Sequence, residues 1–261
     1  MANIHPTSVI SKQAEIGKDV EIGPFCIVRG RVKIGDGCRL ESHVMLGNEH
    51  GIVEIGRDNV LHAGAAVGGP PQDLSYKGDP TKFVMGDRNV IREFATLNCG
   101  TVKGGGVTKV GNDCLIMAYA HLAHDCNVGS HVVIANVSQL AGHVVLEDHV
   151  KIGGMCGVNQ FVRIGKYAFI AGDSAVNKDI LPFTMSQGKY AVMRASNAVG
   201  LERAGFSKED VDSIWRAIRI ITKGSGTIDE SIARIEAECT MSPNLKYLVD
   251  FLKGSTRGVA I

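Results

Sequence analysis

At 261 residues and a net charge of +1, the chain can bury a core without disulfides or metal, and its balance gives no general attraction to nucleic acid. Thirty-two glycines against seven prolines and 5% aromatic residues depart from an ordinary globular core and point to something repetitive and tightly turned. The opening residues, MANIHPTSVISKQAEIG, show no cationic segment followed by an apolar stretch, and no window approaches the ~18 apolar residues of a membrane span. A cytoplasmic chain without an integral membrane segment is expected.

From the start of the chain an aliphatic residue recurs at every sixth position: Ile10, Ile16, Ile22, Val28, Ile34, Leu40 and Leu46. A second run begins at Val110 and continues through Ile116, Leu122 and Val128 to Ile164, Ile170 and Val176. Glycine often follows the aliphatic residue, as at Gly17, Gly35, Gly111 and Gly153. Each hexad reads as a short strand and a corner, with glycine expected to supply the unusual backbone angles there. Three corners close a triangular coil of ~18 residues, and coils stack ~4.8 Å apart through parallel ladders. Seven cysteines form no CxxC pair, and Cys26, Cys38, Cys114, Cys126 and Cys156 share one repeat position, so they are expected to be small buried residues.

The period breaks in two places, with three extra residues between Leu46 and Ile55 and seven between Leu97 and Val110, in NCGTVKGGGVTK. The segment GGPPQDLSYKGDPTKF keeps the count but loses the aliphatic pattern. All three are expected to protrude as loops, where binding residues commonly sit.

After about Leu181 the hexads give way to helical signals. Ser207 with Asp210 and Thr227 with Glu230 have capping spacing, and Pro243 suits a first helical turn. The expected architecture is an all-β parallel coil over residues 1–186 and an α-helical domain over 187–261.

The stretch AHLAHDCNVG places His121 on an outer strand face and His124 with Asp125 at the next corner. Stepping one coil along puts Gln139 over His121, Gly142 over His124 and His143 over Asp125, and a further coil brings Gln160 into the His124 column. Gly142 leaves a notch above His124. A neutral imidazole there can take a proton from a hydroxyl or amine at neutral pH. Attack on a thioester would develop an oxyanion that a corner N–H could receive. Two other readings remain open at this point. Clustered histidines on such a coil could hold zinc, as in gamma-class carbonic anhydrases, although their spacing differs. A non-enzymatic solenoid could use the same stripe for binding.

The motifs IGPFCIV, QDLSYKGDPT, GDRNVIRE, GTVKGGG, AHLAHDC, LAGHV, NQF, GLERAGFS and the terminal STRG resemble, over nearly the whole chain, the UDP-N-acetylglucosamine acyltransferase family that begins lipid A synthesis. The resemblance implies a left-handed parallel β-helix, a homotrimer and no cofactor or metal. It also implies transfer of a long 3-hydroxyacyl chain from acyl carrier protein to a UDP-amino sugar. It makes His124 the general base, Asp125 its support and Gly142 the oxyanion donor. His121 and His143 match substrate-contacting positions, and Asp73 matches an aspartate in a loop that reaches a neighbouring subunit's site. Gln160, Asn197 and Arg203 match residues lining the nucleotide-sugar cleft, and Gly172 matches the residue that limits acyl length. Ser75, Asn159, Val199, Ala204 and the pair Asn98–Cys99 depart from the family pattern at positions expected to contact the sugar nucleotide. The acceptor is therefore either UDP-N-acetylglucosamine or its 3-amino analogue. Basic residues near the first helices, among them Lys189, Arg194, Arg216 and Arg219, are expected to meet the acidic carrier.

Overall fold

The computed structural model describes residues 1–224 and 226–261. Its hexads form a parallel coil with three faces, the left-handed β-helix that the resemblance implies. One face is an 11-stranded sheet that starts at Asn3–Ile4 and ends in the hairpin Thr184–Gly188 and Ala191–Ser196. The other two faces merge into a 15-stranded sheet, because Ile27–Ile34 and Met45–Ile55 run on around one corner. Elsewhere most strands are two residues long, as in His121–Leu122 and Gln139–Leu140.

Inside the coil each aliphatic residue lies over its equivalent: Leu40 pairs with Leu61, Ile116 with Ile134 and Ile152 with Ile170. All six are at most 2% exposed. Burial of such side chains contributes ~1.5–3 kcal/mol each. The five repeat cysteines are buried as expected and donate their thiols to backbone carbonyls, as Cys126 does to Ala141 O at 3.2 Å. Burial pushes the Cys126 thiol up to about 12, which removes it from nucleophilic or ligand chemistry.

The corners are built differently from the expectation. The glycine after each aliphatic residue does not carry the left-handed angle; a residue two places later does. Eighteen non-glycine residues, among them Phe94, Tyr119, Asp125, His131, His143 and His149, have φ from 54° to 66°. The glycines serve close stacking instead: a Cβ on Gly153 would lie 2.5 Å from Gly172 N in the next coil. The left-handed residues project outward in columns and stack, with Phe94 on Tyr119 at 5.3 Å and His131 on His149 at 4.7 Å.

The three irregular segments also behave differently from one another. The three extra residues after Leu46 stay within strand pairing as a bulge, where register passes from Arg29↔Gly47 to Arg31↔Ile52. Buried Asn48 holds it, accepting from the Gly51 N–H at 2.7 Å and donating to Gly68 O at 2.7 Å. The segment that keeps the count is itself an insertion, since Leu61 pairs with Ile91 across it. Its tip is open, with Leu74 fully exposed. The seven-residue insertion forms a short 3-10 turn, Val102–Gly104, folded back onto the coil.

The helical domain follows its predicted caps. Helix α1 spans Ala198–Arg203, α2 Lys208–Lys223, α3 Ile228–Glu238 and α4 Pro243–Gly254. Ser207 caps α2, Thr227 and Glu230 form a reciprocal capping box on α3, and Pro243 opens α4. Ile214, Ile235, Leu245 and Leu248 close its core around Phe183. Tyr247 donates to Glu147, and the Arg163 guanidinium lies 4.4 Å from the Phe251 ring centre, which ties α4 to the last coils. The STRG motif straps the end back, with Ser255 Oγ donating to Asp179 at 2.7 Å. Among the described residues no helix is long and apolar enough to cross a membrane.

Candidate active site

The left-handed corner at Asp125 turns the chain between His121–Leu122 and Asn127–Val128 and aims two side chains at one point. His124 Nδ1 lies 2.8 Å from Asp125 Oδ2. Asp125 is fully buried at its side chain, and His124 is 17% exposed. An ionised carboxylate only accepts, so the shared proton sits on Nδ1 and leaves the Nε2 lone pair as the base.

The insertion GTVKGGG holds the carboxylate in place. Thr101 donates from its N–H to Oδ1 at 2.8 Å and from its hydroxyl to Oδ2 at 2.6 Å. Asp125 in turn donates its N–H to Thr108 Oγ1 at 2.7 Å. Gly104 must lack a Cβ, which would overlap the Asp125 carboxylate. Residue type and spacing do not single out Thr101 or Thr108; the one signal in the sequence is the aperiodic segment that lies one coil before AHDC.

Gly142 lies over His124 as counting by coils predicts. A Cβ there would lie 2.5 Å from His124 Cε1 and 2.9 Å from Nε2. Among the described residues the Gly142 N–H donates to no acceptor in the chain, so it remains available to an incoming oxyanion. The His143 N–H donates to His124 O at 3.1 Å, and its ring meets the His124 ring edge-on at 5.3 Å while stacking on Phe161 at 4.4 Å. His121 pairs with Gln139 in register, and its Nδ1 lies 2.7 Å from Thr96 Oγ1. Burial, with help from the His124 charge, holds the His121 pKa below the usual imidazole range. Gln160 is exposed one coil beyond Gly142.

Asp73 stands in the count-preserving loop and accepts the Ser75 N–H at 2.7 Å. The Ser75 backbone and hydroxyl hold its carboxyl below the usual range, with smaller contributions from the charges of His124 and Lys103 in the same chain.

Three expected site residues lie at other corners. Asn197 and Arg203 belong to a cavity walled by His131, His149 and Tyr167. Gly172 is exposed at a third corner, where a Cβ would lie 3.3 Å from Gly154 O. One protomer does not unite these groups with His124. Of the departures, Ser75, Asn159, Val199 and Ala204 are exposed. Asn98 and Cys99 are not: they are 7% and 0% exposed, so they do not contact a sugar nucleotide. Both instead fasten the base of the Asp73 loop, through Asn98 Nδ2 to Pro70 O and Cys99 Sγ to Gly68 O.

His124, Asp125 and His143 bring ligand-type atoms within 4.8 Å of one another. Their chemistry does not suit a cation. The Asp125 oxygens already accept two bonds from Thr101 and one from His124 Nδ1, so a metal would have to break the set that orients the imidazole.

Residues 179–260 match the family model described as UDP N-acetylglucosamine O-acyltransferase, domain 2, and residues 13–48 and 108–142 match the bacterial transferase hexapeptide model. The chain is 43% identical to the acyl-[acyl-carrier-protein]–UDP-N-acetylglucosamine O-acyltransferase of Thermodesulfovibrio yellowstonii, over 99% of each chain. Its structure is similar to that of LpxA from Acinetobacter baumannii, with a TM-score of 0.95 and 39% identity over 99% of each chain. It is also similar to the UDP-N-acetylglucosamine acyltransferase of Bacteroides fragilis, with a TM-score of 0.94 and 35% identity over 98% of this chain and 99% of that one.

Proposed function

Since the chain belongs to the UDP-N-acetylglucosamine O-acyltransferase family, we propose that it moves a long-chain (R)-3-hydroxyacyl group from acyl carrier protein to the 3-hydroxyl of UDP-N-acetylglucosamine, the first step toward lipid A. The observation that carries this reading is the His124 ring, held at Nδ1 by Asp125 and faced by the Gly142 N–H, which donates to no acceptor among the described residues.

His124 Nε2 takes the proton of the sugar hydroxyl as its oxygen attacks the thioester carbonyl. The Asp125 carboxylate stabilises the imidazolium, and the Gly142 N–H receives the oxyanion. Collapse re-forms the carbonyl and breaks the carbon–sulfur bond, and the imidazolium returns its proton to the departing thiolate. General base catalysis supplies ~10²–10⁴-fold, and a single oxyanion donor ~10²–10³-fold. His121 and His143 flank the base as substrate contacts, with Gln160 beyond them. Neither metal nor cofactor takes part in these steps.

The site is completed by a second copy of the chain. Asn197, Arg203 and Gly172 occupy corners that His124 does not share, so a homotrimer with clefts between protomers brings all of them to one substrate. In this reading residues 1–186 form the catalytic coil and 187–261 the domain that closes it, placed in the cytoplasm where the acyl carrier protein is found. Gly172 leaves room for the end of a long acyl chain. Because Ser75, Asn159, Val199 and Ala204 depart from the family pattern, the 3-amino analogue of the UDP sugar stands as the alternative acceptor.

Turnover of the two acceptors with one acyl carrier donor decides between oxygen and nitrogen acylation. His124→Ala, folded as the parent, is expected to lose at least ~10²-fold in kcat. A variant as active as the parent, or a parent that acylates neither sugar, refutes the assignment.

A further inference from the structure

The catalytic corner is built in three layers. Gly69 O accepts the Cys99 N–H at 2.8 Å and Lys82 O accepts the Gly100 N–H at 3.0 Å, so both roots of the loop carrying Asp73 rest on the residues that enter the GTVKGGG turn. The Lys82 N–H donates in return to Gly106 O at 2.8 Å, at the far end of that turn. On its other side the turn meets Asp125, through the two bonds from Thr101 and the close approach of Gly104. It is thus clamped between the Asp73 loop and the corner of His124, with Lys103 as its middle residue.

The backbone of the turn is fixed by its own bonds. Thr101 Oγ1 accepts the Gly104 N–H at 3.1 Å, and Thr101 O accepts the Gly106 N–H at 2.8 Å. Gly105 and Gly106 have φ of 94° and 81°, angles that favour glycine, and lead the chain back to the coil. None of these bonds uses the Lys103 side chain, which is exposed. Two other cations of the corner are committed elsewhere. Lys82 Nζ lies 3.9 Å from Glu54, and Arg163, farther along the same face, donates to Glu147 at 2.7 Å. Lys77 lies past the tip of the Asp73 loop, and Lys109 on the strand that leaves the corner. Among the described residues Lys103 has no carboxylate within ion-pair distance. The Ser75 N–H and hydroxyl come first in holding the Asp73 carboxyl below its usual range, and the Lys103 charge adds a smaller share.

The acceptor makes a demand that this middle layer meets. With its 3-hydroxyl at His124 Nε2, the diphosphate stands on C1 of the same ring, two bonds from C3. It enters a corner whose fixed charges are the carboxylates of Asp73 and Asp125. His124 has to be neutral to accept the hydroxyl proton, so it offers no countercharge at the start of the step. A lysine ammonium is a compact charge suited to phosphate oxygens. We propose that Lys103 is a binding residue for the acceptor, its ammonium pairing with the diphosphate of the UDP sugar that stands at His124 of the same protomer. The proposal rests on the acyltransferase reading for the identity of its ligand. One turn then has two tasks, fixing Asp125 through Thr101 and placing the anionic end of the acceptor through Lys103.

The test compares the full-length parent with Lys103→Met, Lys103→Gln and Lys103→Arg, and with Lys77→Met and Lys109→Met as controls. Calorimetric titration with UDP-N-acetylglucosamine measures binding, and steady-state acyl transfer gives kcat and both KM values. Lys103→Met is expected to bind the sugar nucleotide about tenfold more weakly, the loss of one charged contact, and to raise the acceptor KM to match. Its kcat and donor KM stay those of the parent, because the contact is the same before and during the reaction. The gap should narrow at ~1 M salt, where the screening length falls to ~3 Å. Lys103→Arg restores most of the affinity, Lys103→Gln does not, and the two controls bind as the parent does. A Lys103→Met protein whose kcat falls at unchanged acceptor KM overturns the proposal, and so does a glutamine variant that binds as the parent does or a control as weak as Lys103→Met. A parent that binds the sugar nucleotide tenfold more tightly than Lys103→Met but transfers no acyl group refutes the acyltransferase reading and leaves the contact standing. A parent that transfers acyl groups while Lys103→Met binds as it does refutes the contact alone.

Discussion

Adding a single methyl group at Gly142 tests the assembled site more sharply than removing the base does. The backbone there is not in the left-handed region, so alanine is compatible with the chain path. Its Cβ, however, would lie 2.5 Å, 2.9 Å and 3.0 Å from His124 Cε1, Nε2 and Nδ1. Carbon contacts settle at ~3.5–4.0 Å, so the ring must move by about 1 Å. It cannot do so and keep its 2.8 Å bond to Asp125, whose own position is fixed by two bonds from Thr101. A misplacement of ~1 Å costs ~10²-fold, and loss of general base function up to ~10⁴-fold. Gly142→Ala is therefore expected to lower kcat by ~10²–10⁴ while thermal unfolding moves little, because the His124 ring lies at the edge of the cleft. The assay is acyl transfer followed by mass spectrometry at saturating donor and acceptor, with calorimetry as the fold control. A variant within threefold of the parent would show that the ring has room to spare and that the notch is incidental.

Thr101→Val deletes one of the three bonds to the buried Asp125 carboxylate and should lower the unfolding free energy by ~1.5–3 kcal/mol, with a several-fold loss in kcat; denaturant titration and steady-state kinetics measure the two effects. His121 is held neutral by burial, so its folded pKa lies below its unfolded value. Its contribution to stability is full above the ordinary imidazole pKa of ~6.5 and is lost as pH falls through the folded value, so His121→Gln should flatten the acid limb of a plot of Tm against pH. Gly172→Met is expected to shift donor preference toward shorter acyl chains in a competition assay, since a side chain there extends into open space beyond Gly154 O.

Counting along the period places His124, Gly142, His143 and Gln160 in their columns, because parallel stacking converts sequence distance directly into position. The loop carrying Asp73 shows only as a lost aliphatic pattern, because an insertion of a whole number of hexads leaves the phase untouched and hides that it is an insertion. Thr101 escaped for the opposite reason: its segment has no period, so nothing in the sequence placed it beneath Asp125. The helix caps at Ser207 and Thr227 depend on contacts three residues apart, and local spacing shows these directly. The cavity around Arg203 combines three successive coils with α1, a juxtaposition that neither the period nor capping reports.

The outward columns of left-handed residues carry a consequence for how the molecule assembles. Such a conformation costs a side-chain-bearing residue ~1–2 kcal/mol, and the compensation lies in ladder bonds and stacked rings supplied by the turns above and below. A lone turn of the spiral is therefore unstable by construction, and order must spread from several layers already in contact. Wherever the stack is cut, the last layer inherits strain without relief, which makes α4 and the terminal strap the fastening that keeps the spiral from unwinding at that end.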